Sequence, residues 1–246
     1  MKSTLQKKMV NKKRPNFIII GAMKCGTTSS AVTLNSHPEI GMLIKSEARF
    51  FDRIEEWEKG EEYYENKFSF IPDDIEVIGE KSPNYCFSKD AIQRIHQYDA
   101  NMKLIMMVRN PVLRAFSNYN MNVQTGKTTL SFRDFNDKFA NNISRGFYIE
   151  QIKYILSIFP EKNLHVCVSE EIKENPVASY NEIFNFLNVR NLSPSELDID
   201  FTRNQRKHTV ELADEEMERL QEVYTPYNHS LFDFLGKEIK SWTRNS

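Results

Sequence analysis

The chain has 246 residues, of which 40% are hydrophobic and 12% aromatic, and this is enough to bury the core of one α/β domain. Its 33 basic and 34 acidic residues give a formal net charge of −1. This balance excludes a general attraction to nucleic acid or to an acidic membrane surface, so any anion site must be local.

The N-terminal segment MKSTLQKKMVNKKR is basic and is predicted to be a tail over residues 1–14, followed by a single domain over residues 15–246. The apolar stretch that follows, Phe17–Ala22, is too short for a signal-peptide core or a membrane span. We therefore expect a soluble protein with neither a membrane partner nor a nucleic-acid partner.

The cysteines are odd in number and show neither a CxxC motif nor a Cys/His ligand pattern. They are Cys25, Cys86 and Cys167. Such usage disfavours both a disulfide framework and a structural zinc site. A cytoplasmic location fits it best, and the sequence predicts no particular oligomeric state.

Short apolar runs alternate with helical patterns along the chain, which is typical of a parallel α/β sheet. Five buried strands are predicted at Phe17–Ile20, Ile40–Ile44, Val77–Glu80, Lys103–Val108 and Leu164–Val168. Helices with apolar residues at three- and four-residue spacing are predicted at Thr27–Ser36, Lys89–Tyr98, Pro111–Thr125, Tyr148–Phe159, Val177–Leu187 and Asp214–Tyr224. The polar segment Asn188–Val210 is predicted to be a loop that is free to close over a ligand.

The first functional motif is PNFIIIGAMKCGTTSS, in which a buried strand runs into Gly21, a short loop, Gly26 and a helix start. In such a turn the backbone N–H groups and the helix N-terminus point at one spot and bind an anion. Lys24 adds a mobile positive charge. The hydroxyl groups that can donate to phosphate oxygens belong to Thr27, Thr28 and Ser29.

Two other interpretations of this motif remain open at this point. An ordinary strand-to-helix turn also uses glycine for tightness, although the preceding buried strand favours phosphate binding. A nucleotide triphosphatase loop, GxxxxGK[ST], would need lysine at position 27, where this chain has Thr27 and carries its lysine at Lys24 instead.

The second motif is KLIMMVRNPVLRAFSNY. A triphosphatase strand would be expected to end in a carboxylate for magnesium, whereas this strand ends in Arg109. Arg109 lies where ligands bind open α/β sheets, and Ser117 follows about two turns into the next helix. The pair is predicted to hold a second phosphate, the alternative being a structural salt bridge for Arg109.

Through these motifs the sequence resembles the PAPS-dependent sulfotransferases, and within them the heparan-sulfate-like group of glycan sulfotransferases, as a short soluble bacterial-type member. PAPS is 3′-phosphoadenosine 5′-phosphosulfate. The resemblance spans nearly the whole chain and rests on five phrases in family order: GAMKCGTTS, EARFFD, GEKSPNY, RNPVLRAFSNY and YTPYNHSLFDFLG. It implies an α/β, P-loop-containing single domain with a central parallel β-sheet flanked by α-helices.

The resemblance also implies a role for each matching residue. Glu47 matches the general base, and Lys24 and Lys81 match lysines that stabilise charge on the transferring group. Arg109 and Ser117 match the site of the 3′-phosphate. The 5′-phosphate is gripped by hydroxyl and backbone N–H groups of Cys25, Gly26, Thr27, Thr28 and Ser29. The donor is PAPS, the product is adenosine 3′,5′-bisphosphate (PAP), and no metal is required.

Four further residues are less specific. Arg206 and Lys207, in TRNQRKH, resemble a loop that closes over the nucleotide, although a basic run is also typical of a solvated surface. Tyr148 faces either a ligand or the core. Cys25 is either a reactive thiol at a helix N-terminus or a small residue that fits the loop.

The sequence therefore predicts an enzyme that moves a sulfonate group from PAPS to an acceptor hydroxyl by in-line displacement. The acceptor is a carbohydrate or a small hydroxylated metabolite. Two alternatives stay open: a P-loop kinase that uses ATP and magnesium, and a nucleotide-binding regulator without turnover. Replacing Glu47 with glutamine separates the regulator from the enzyme, because only the enzyme needs a base.

Overall fold

A computed structural model describes residues 13–199 and 210–243 of the chain. Its centre is a five-stranded, fully parallel sheet in the spatial order β2-β3-β1-β4-β5. The strands are β1 (Phe17–Gly21), β2 (Ile40–Leu43), β3 (Val77–Lys81), β4 (Lys103–Val108) and β5 (Leu164–Val168). All five predicted strands are confirmed, with ends that differ by at most one residue, and so is the α/β fold class.

Eleven α-helices surround the sheet in the described part of the chain. They are α1 (Thr27–Asn35), α2 (Ile54–Trp57), α3 (Glu61–Asn66), α4 (Lys89–Tyr98), α5 (Pro111–Gln124), α6 (Phe132–Lys138), α7 (Asn141–Ser144), α8 (Tyr148–Leu156), α9 (Ser169–Glu174), α10 (Pro176–Leu187) and α11 (Asp214–Leu235). Short 3₁₀ turns lie at Tyr85–Phe87, Glu161–Asn163 and Lys240–Trp242. The six predicted helices are present, and the five additional ones are short.

The last helix is longer than predicted. It was expected to end at Tyr224, but α11 continues through Pro226 to Leu235 and ends at Gly236, whose φ of 65° is left-handed. Proline inside a helix removes one backbone hydrogen bond. Packing offsets this loss, because Leu231 and Phe232 lie in the buried core beyond the proline.

The strand order brings the functional motifs to one edge of the sheet. β1 lies between β3 and β4, with Ile19 opposite Lys81 on one side and Gly21 opposite Met106 on the other. Close packing beneath this edge needs glycine at position 79, since a Cβ there would lie 2.3 Å from the Phe17 ring. The carboxyl ends of all three strands therefore meet at the place where ligands bind in open α/β sheets.

Two residues of the predicted basic tail contact the folded domain. The ammonium group of Lys13 donates to Pro72 O at 2.7 Å and lies 3.3 Å from Asp73. The Arg14 guanidinium donates to Tyr98 O and stacks on the Tyr98 ring at 4.2 Å. The remainder of residues 1–14 lies outside the described residues, so the boundary between tail and domain stays a prediction.

No helix within residues 13–199 and 210–243 is long and apolar enough to cross a membrane.

Candidate active site

The loop between β1 and α1 is folded back on itself beside β4. Ala22 N donates to Met107 O at 2.7 Å, and Cys25 N donates to Ala22 O at 3.2 Å. Lys24 and Gly26 have φ angles of 75° and 85°, both left-handed, and glycine takes this conformation without strain. The Cys25 N–H, predicted to bind phosphate, is thus engaged within the loop.

The loop presents the N-terminus of α1 to solvent. Gly26 is the exposed N-cap residue, and the first turn has neither a side-chain cap nor an acidic residue. Thr28 and Ser29 are half-buried, whereas Thr27 is buried beneath them. Since the first N–H groups of a helix lack intrahelical partners, this end is available to an anion.

Tyr148 lies underneath the loop and ties it to neighbouring elements. It is only 1% exposed; its hydroxyl donates to Arg109 O at 2.9 Å and lies 3.5 Å from Cys25 Sγ. Ser169, at the start of α9, donates to Cys25 O at 2.6 Å. Of the two roles left open for Tyr148, the structure shows the packing role.

Cys25 is buried, and burial raises the pKa of its thiol to about 11, although Tyr148, Arg114 and Arg109 act in the opposite direction. Of the two roles left open for Cys25, the raised pKa of its thiol disfavours the reactive one. A low pKa needs an exposed thiol near positive charge, and here removal of water outweighs the charges. Cys25 is the small residue that fits the loop.

We expect the native protein to react with a thiol reagent at about pH 8 far more slowly than the unfolded chain, because the thiolate is the reacting species. The folded-state pKa of Cys25 lies above 9.0, so above that pH the unfolded chain loses its proton first. Stability should consequently fall as pH rises from 9.0 through about 11, and less so in Cys25→Ser. Rapid labelling of native Cys25 would contradict this assignment.

Arg109 follows β4 and reaches the loop from the side. Its Nη1 lies 3.4 Å from Lys24 O, across 85 positions of sequence. The ammonium group of Lys24 lies 3.8 Å from Met121 Sδ on α5, and Ser117 occupies the same face of that helix one turn earlier. The three predicted cofactor contacts Lys24, Arg109 and Ser117 are therefore brought together.

The predicted base and its neighbouring lysine form an ion pair at the end of β3. Lys81 Nζ lies 3.5 Å from Glu47 Oε1. The Lys81 side chain is 9% exposed and that of Glu47 is 33% exposed. Glu47 thus has a carboxylate oxygen held near a fixed cation while part of the group still faces solvent.

A buried carboxylate that the sequence reasoning missed, Glu80, holds this region in place. It accepts hydrogen bonds from the hydroxyl groups of Ser82 (2.7 Å), Tyr64 (3.0 Å) and Tyr85 (3.1 Å), and from the backbone N–H of Ala48 (3.3 Å). Burial raises its pKa, and these hydrogen bonds oppose that rise. Glu80 therefore fixes the backbone directly after Glu47.

The segment after Ala48 is anchored in the same way. Arg49 N donates to Ser82 Oγ at 3.2 Å, and Phe51 N donates to Tyr85 Oη at 3.3 Å. The Arg49 side chain donates from Nε to both oxygens of Asp52, at 2.9 and 2.7 Å, and this hydrogen bonding raises its pKa. Arg49 also has a left-handed φ of 50°, which non-glycine residues rarely adopt. The surrounding hydrogen bonds therefore hold this turn in one conformation.

A second carboxylate missed from sequence, Glu170, lies below the end of β4. Its Oε1 accepts from Asn110 N at 3.0 Å, and Asn110 in turn caps α5 through Val112 N and Leu113 N. Because Glu170 lies two residues after β5, the sequence could have placed it at the carboxyl ends of the strands. Its hydrogen bond to Asn110 supports the chain around Arg109.

The predicted contacts Arg206 and Lys207 lie outside the described residues, and so they stay predictions.

The class of protein follows from this arrangement: an α/β protein of the P-loop type, with a glycine-containing loop between its first strand and its first helix. Residues 14–242 match the family model described as "Sulfotransferase domain". The chain therefore belongs to the sulfotransferase family.

Among curated proteins, the chain is similar to heparan sulfate glucosamine 3-O-sulfotransferase 5 of Homo sapiens, at 30% identity over 189 residues. That alignment covers 71% of this chain but 54% of the relative, so the chain spans about half of its length. Heparan sulfate glucosamine 3-O-sulfotransferase 6 of Homo sapiens is 26% identical, over 92% of this chain and 73% of the relative.

Solved sulfotransferase structures share the fold. The sulfotransferase from Alicyclobacillus acidocaldarius superimposes with a TM-score of 0.78 and 28% identity, covering 94% of this chain and 99% of that one. The mouse sulfotransferase SULT7A1 complexed with PAP gives a TM-score of 0.57 at 18% identity, covering 87% and 83% respectively. The second likeness bears on the fold alone.

Proposed function

We propose that the protein transfers a sulfonate group from PAPS to a hydroxyl group of a glycan. The observation that carries the proposal is the meeting of two sites at the ends of adjacent strands. One is the cationic loop of Lys24, approached by Arg109, and the other is the Glu47–Lys81 pair. An anionic donor and a hydroxyl acceptor each find suitable chemistry there.

The residues of the loop fit the phosphates of PAPS. The first turn of α1 carries no acidic residue that would repel an anion, and its N–H groups have no side-chain cap. Lys24 and the hydroxyl groups of Thr28 and Ser29 would hold the 5′ end, and Arg109 with Ser117 would hold the 3′-phosphate. Charge-assisted hydrogen bonds of this kind are stronger than hydrogen bonds between neutral groups.

When bound, PAPS supplies a sulfonate group on a nucleotide phosphate that leaves readily. Glu47 would accept the proton of the attacking hydroxyl at a carboxylate oxygen. Lys81 would orient that carboxylate and, with Lys24, offer fixed positive charge where negative charge develops. The anchoring of the turn after Glu47 supports this role, because positioning contributes strongly to such displacements.

A glycan acceptor is supported by the curated relatives, which are named for transfer to glucosamine in heparan sulfate. The family model covers residues 14–242, in keeping with one domain over 15–246. A cytoplasmic location and a reaction without metal remain part of the proposal.

Calorimetric titration tests the donor site. We expect PAP to bind wild-type protein much more tightly than ATP with magnesium, and Arg109→Ala to weaken PAP binding by about 10–100-fold. Arg190→Ala is the matched control, because it also removes one arginine side chain. That side chain pairs with Glu196, and the Arg190 backbone oxygen contacts the His37 ring just after the end of α1 that lies opposite the loop. If the protein instead bound ATP with magnesium more tightly than PAP, and Arg109→Ala left that binding unchanged, the kinase alternative would be favoured.

A further inference from the structure

Arg114 on α5 is a fully buried side chain, 0% exposed, that the proposed chemistry does not use. Its Nη2 donates to Asn142 O and, at 2.9 Å, to Asn142 Oδ1. Its Nε and Nη1 are buried and make no hydrogen bond of ordinary geometry with any described residue. The hydroxyl of Tyr224 lies close to the guanidinium and donates to Ile143 O at 2.9 Å.

Arg114 forms no ion pair with a carboxylate within the described ranges. No carboxylate of residues 13–199 or 210–243 lies within 4.0 Å of the guanidinium. Its partner Asn142 is neutral, and the Asn142 amide already donates to Ala115 O and Asn136 Oδ1. An arginine does not lose its proton in a protein, so it remains charged here, and a buried unpaired charge is strongly unfavourable.

The position of this charge is beneath the anion-binding loop. Arg114 lies one turn before Ser117 and two turns before Met121, which contacts the Lys24 ammonium group, along one face of α5. Burial dominates the pKa of the Cys25 thiol, but among the nearby charges Arg114 lowers it more than Arg109 does. The guanidinium is therefore near enough to the underside of the loop for its charge to act on the Cys25 thiol.

We propose that Arg114 is a positioning residue whose charge is balanced by the phosphates of the bound nucleotide, at the loop above it. The inference rests on the proposed PAPS site, and it assigns a new role to a residue that touches neither donor nor acceptor. In a water-poor interior, a charge acts over a longer range than at the surface and is little screened by salt. Arg114 would therefore maintain a positive potential under the loop. Binding of the anion would reduce the destabilising effect of the buried Arg114 charge.

A purely structural role is the competing explanation, because Arg114 links α5 to α7 through Asn142. The two explanations differ in what they predict for the nucleotide-free protein. A structural link stabilises the free protein, so its loss lowers the melting temperature. An unbalanced charge destabilises the free protein, so its removal leaves the melting temperature unchanged or raised.

The test compares Arg114→Met, Arg114→Lys and Asn142→Ala by thermal melting with and without PAP, and by titration with PAP. We expect Arg114→Met to keep or raise the melting temperature of the free protein, to reduce the PAP-induced increase, and to weaken PAP binding about tenfold. This loss should be similar at about 0.1 M and about 1 M salt. Arg114→Lys should retain most of the affinity, since its charge is kept beside the bound anion.

Asn142→Ala removes the side-chain half of the contact but keeps the charge, so it should lower the melting temperature and leave the PAP-induced increase intact. Equal PAP affinity in folded Arg114→Met and wild-type protein would overturn the inference. So would an equal loss in Arg114→Met and Arg114→Lys. Failure of the wild-type protein to bind PAP would overturn the proposed donor site itself, and with it this inference. Binding of PAP by the wild-type protein therefore separates a failure of this inference from a failure of the proposed function.

Discussion

Replacing Glu47 with glutamine is expected to lower the turnover number by about 10²–10⁴-fold while the affinity for PAP changes by no more than about twofold. Glutamine keeps the size of the side chain but cannot take a proton from a hydroxyl group. The proposed donor contacts lie at the loop and at Arg109, so they should not depend on the carboxylate. Steady-state kinetics with PAPS and calorimetry with PAP measure the two quantities separately.

Glu150→Gln is the matched control for this experiment. Glu150 is an exposed residue of α8, where it lies 3.7 Å from Lys153, and its replacement should leave both quantities unchanged. Undiminished turnover in Glu47→Gln would show that another group acts as the base. Intact PAP binding with no turnover even in wild-type protein would favour the nucleotide-binding regulator.

Replacing Glu80 with alanine is expected to lower the free energy of unfolding by about 3–5 kcal/mol, the range for breaking a buried charged network. The change leaves the hydroxyl groups of Tyr64, Tyr85 and Ser82 without their buried acceptor. It also frees the Ala48 N–H, so activity should fall as the Glu47 backbone loses its anchor. Urea unfolding measures the stability change.

Glu76→Ala, at an exposed position just before the same strand, should change the free energy of unfolding by less than about 0.5 kcal/mol. If Glu80→Ala were as stable as this control, the buried network would not be a support of the site.

The sheet could be predicted from sequence because its strands are short buried apolar runs, and each is punctuated by glycine, proline or a helical pattern. Phe17–Gly21 and Lys103–Val108 are fully or almost fully buried, as expected for central parallel strands. The spatial order of the strands could not be predicted in the same way, because it depends on long-range pairing, which periodicity does not encode.

The helices missed from sequence have a physical explanation. The segments Ile54–Trp57 and Asn141–Ser144 are single turns, too short to show a helical period. The extension of α11 beyond Pro226 was missed because proline is a strong local stop signal, and tertiary packing of Leu231 and Phe232 outweighs it.

Part of the candidate site could be singled out from sequence, and the roles of its residues stay predictions. The motifs singled out Lys24, Arg109 and Glu47, and the register of β1 with β3 places the loop of Lys24 beside Lys81, which pairs with Glu47. The motifs did not identify Glu80 or Arg114. A buried carboxylate and a buried guanidinium look like surface residues in a sequence, since their roles depend on neighbours that are distant along the chain.

The central claim is tested most directly by incubating purified protein with PAPS carrying a radioactive sulfonate group and a desulfated heparan-type polysaccharide. We expect the wild-type protein to incorporate label into the polysaccharide, and Lys24→Met to incorporate at least about 10²-fold less, because it lacks the cation at the transferring group. Absence of label in the polysaccharide and in other hydroxyl acceptors, despite PAP binding, would contradict sulfonate transfer as the function of this protein.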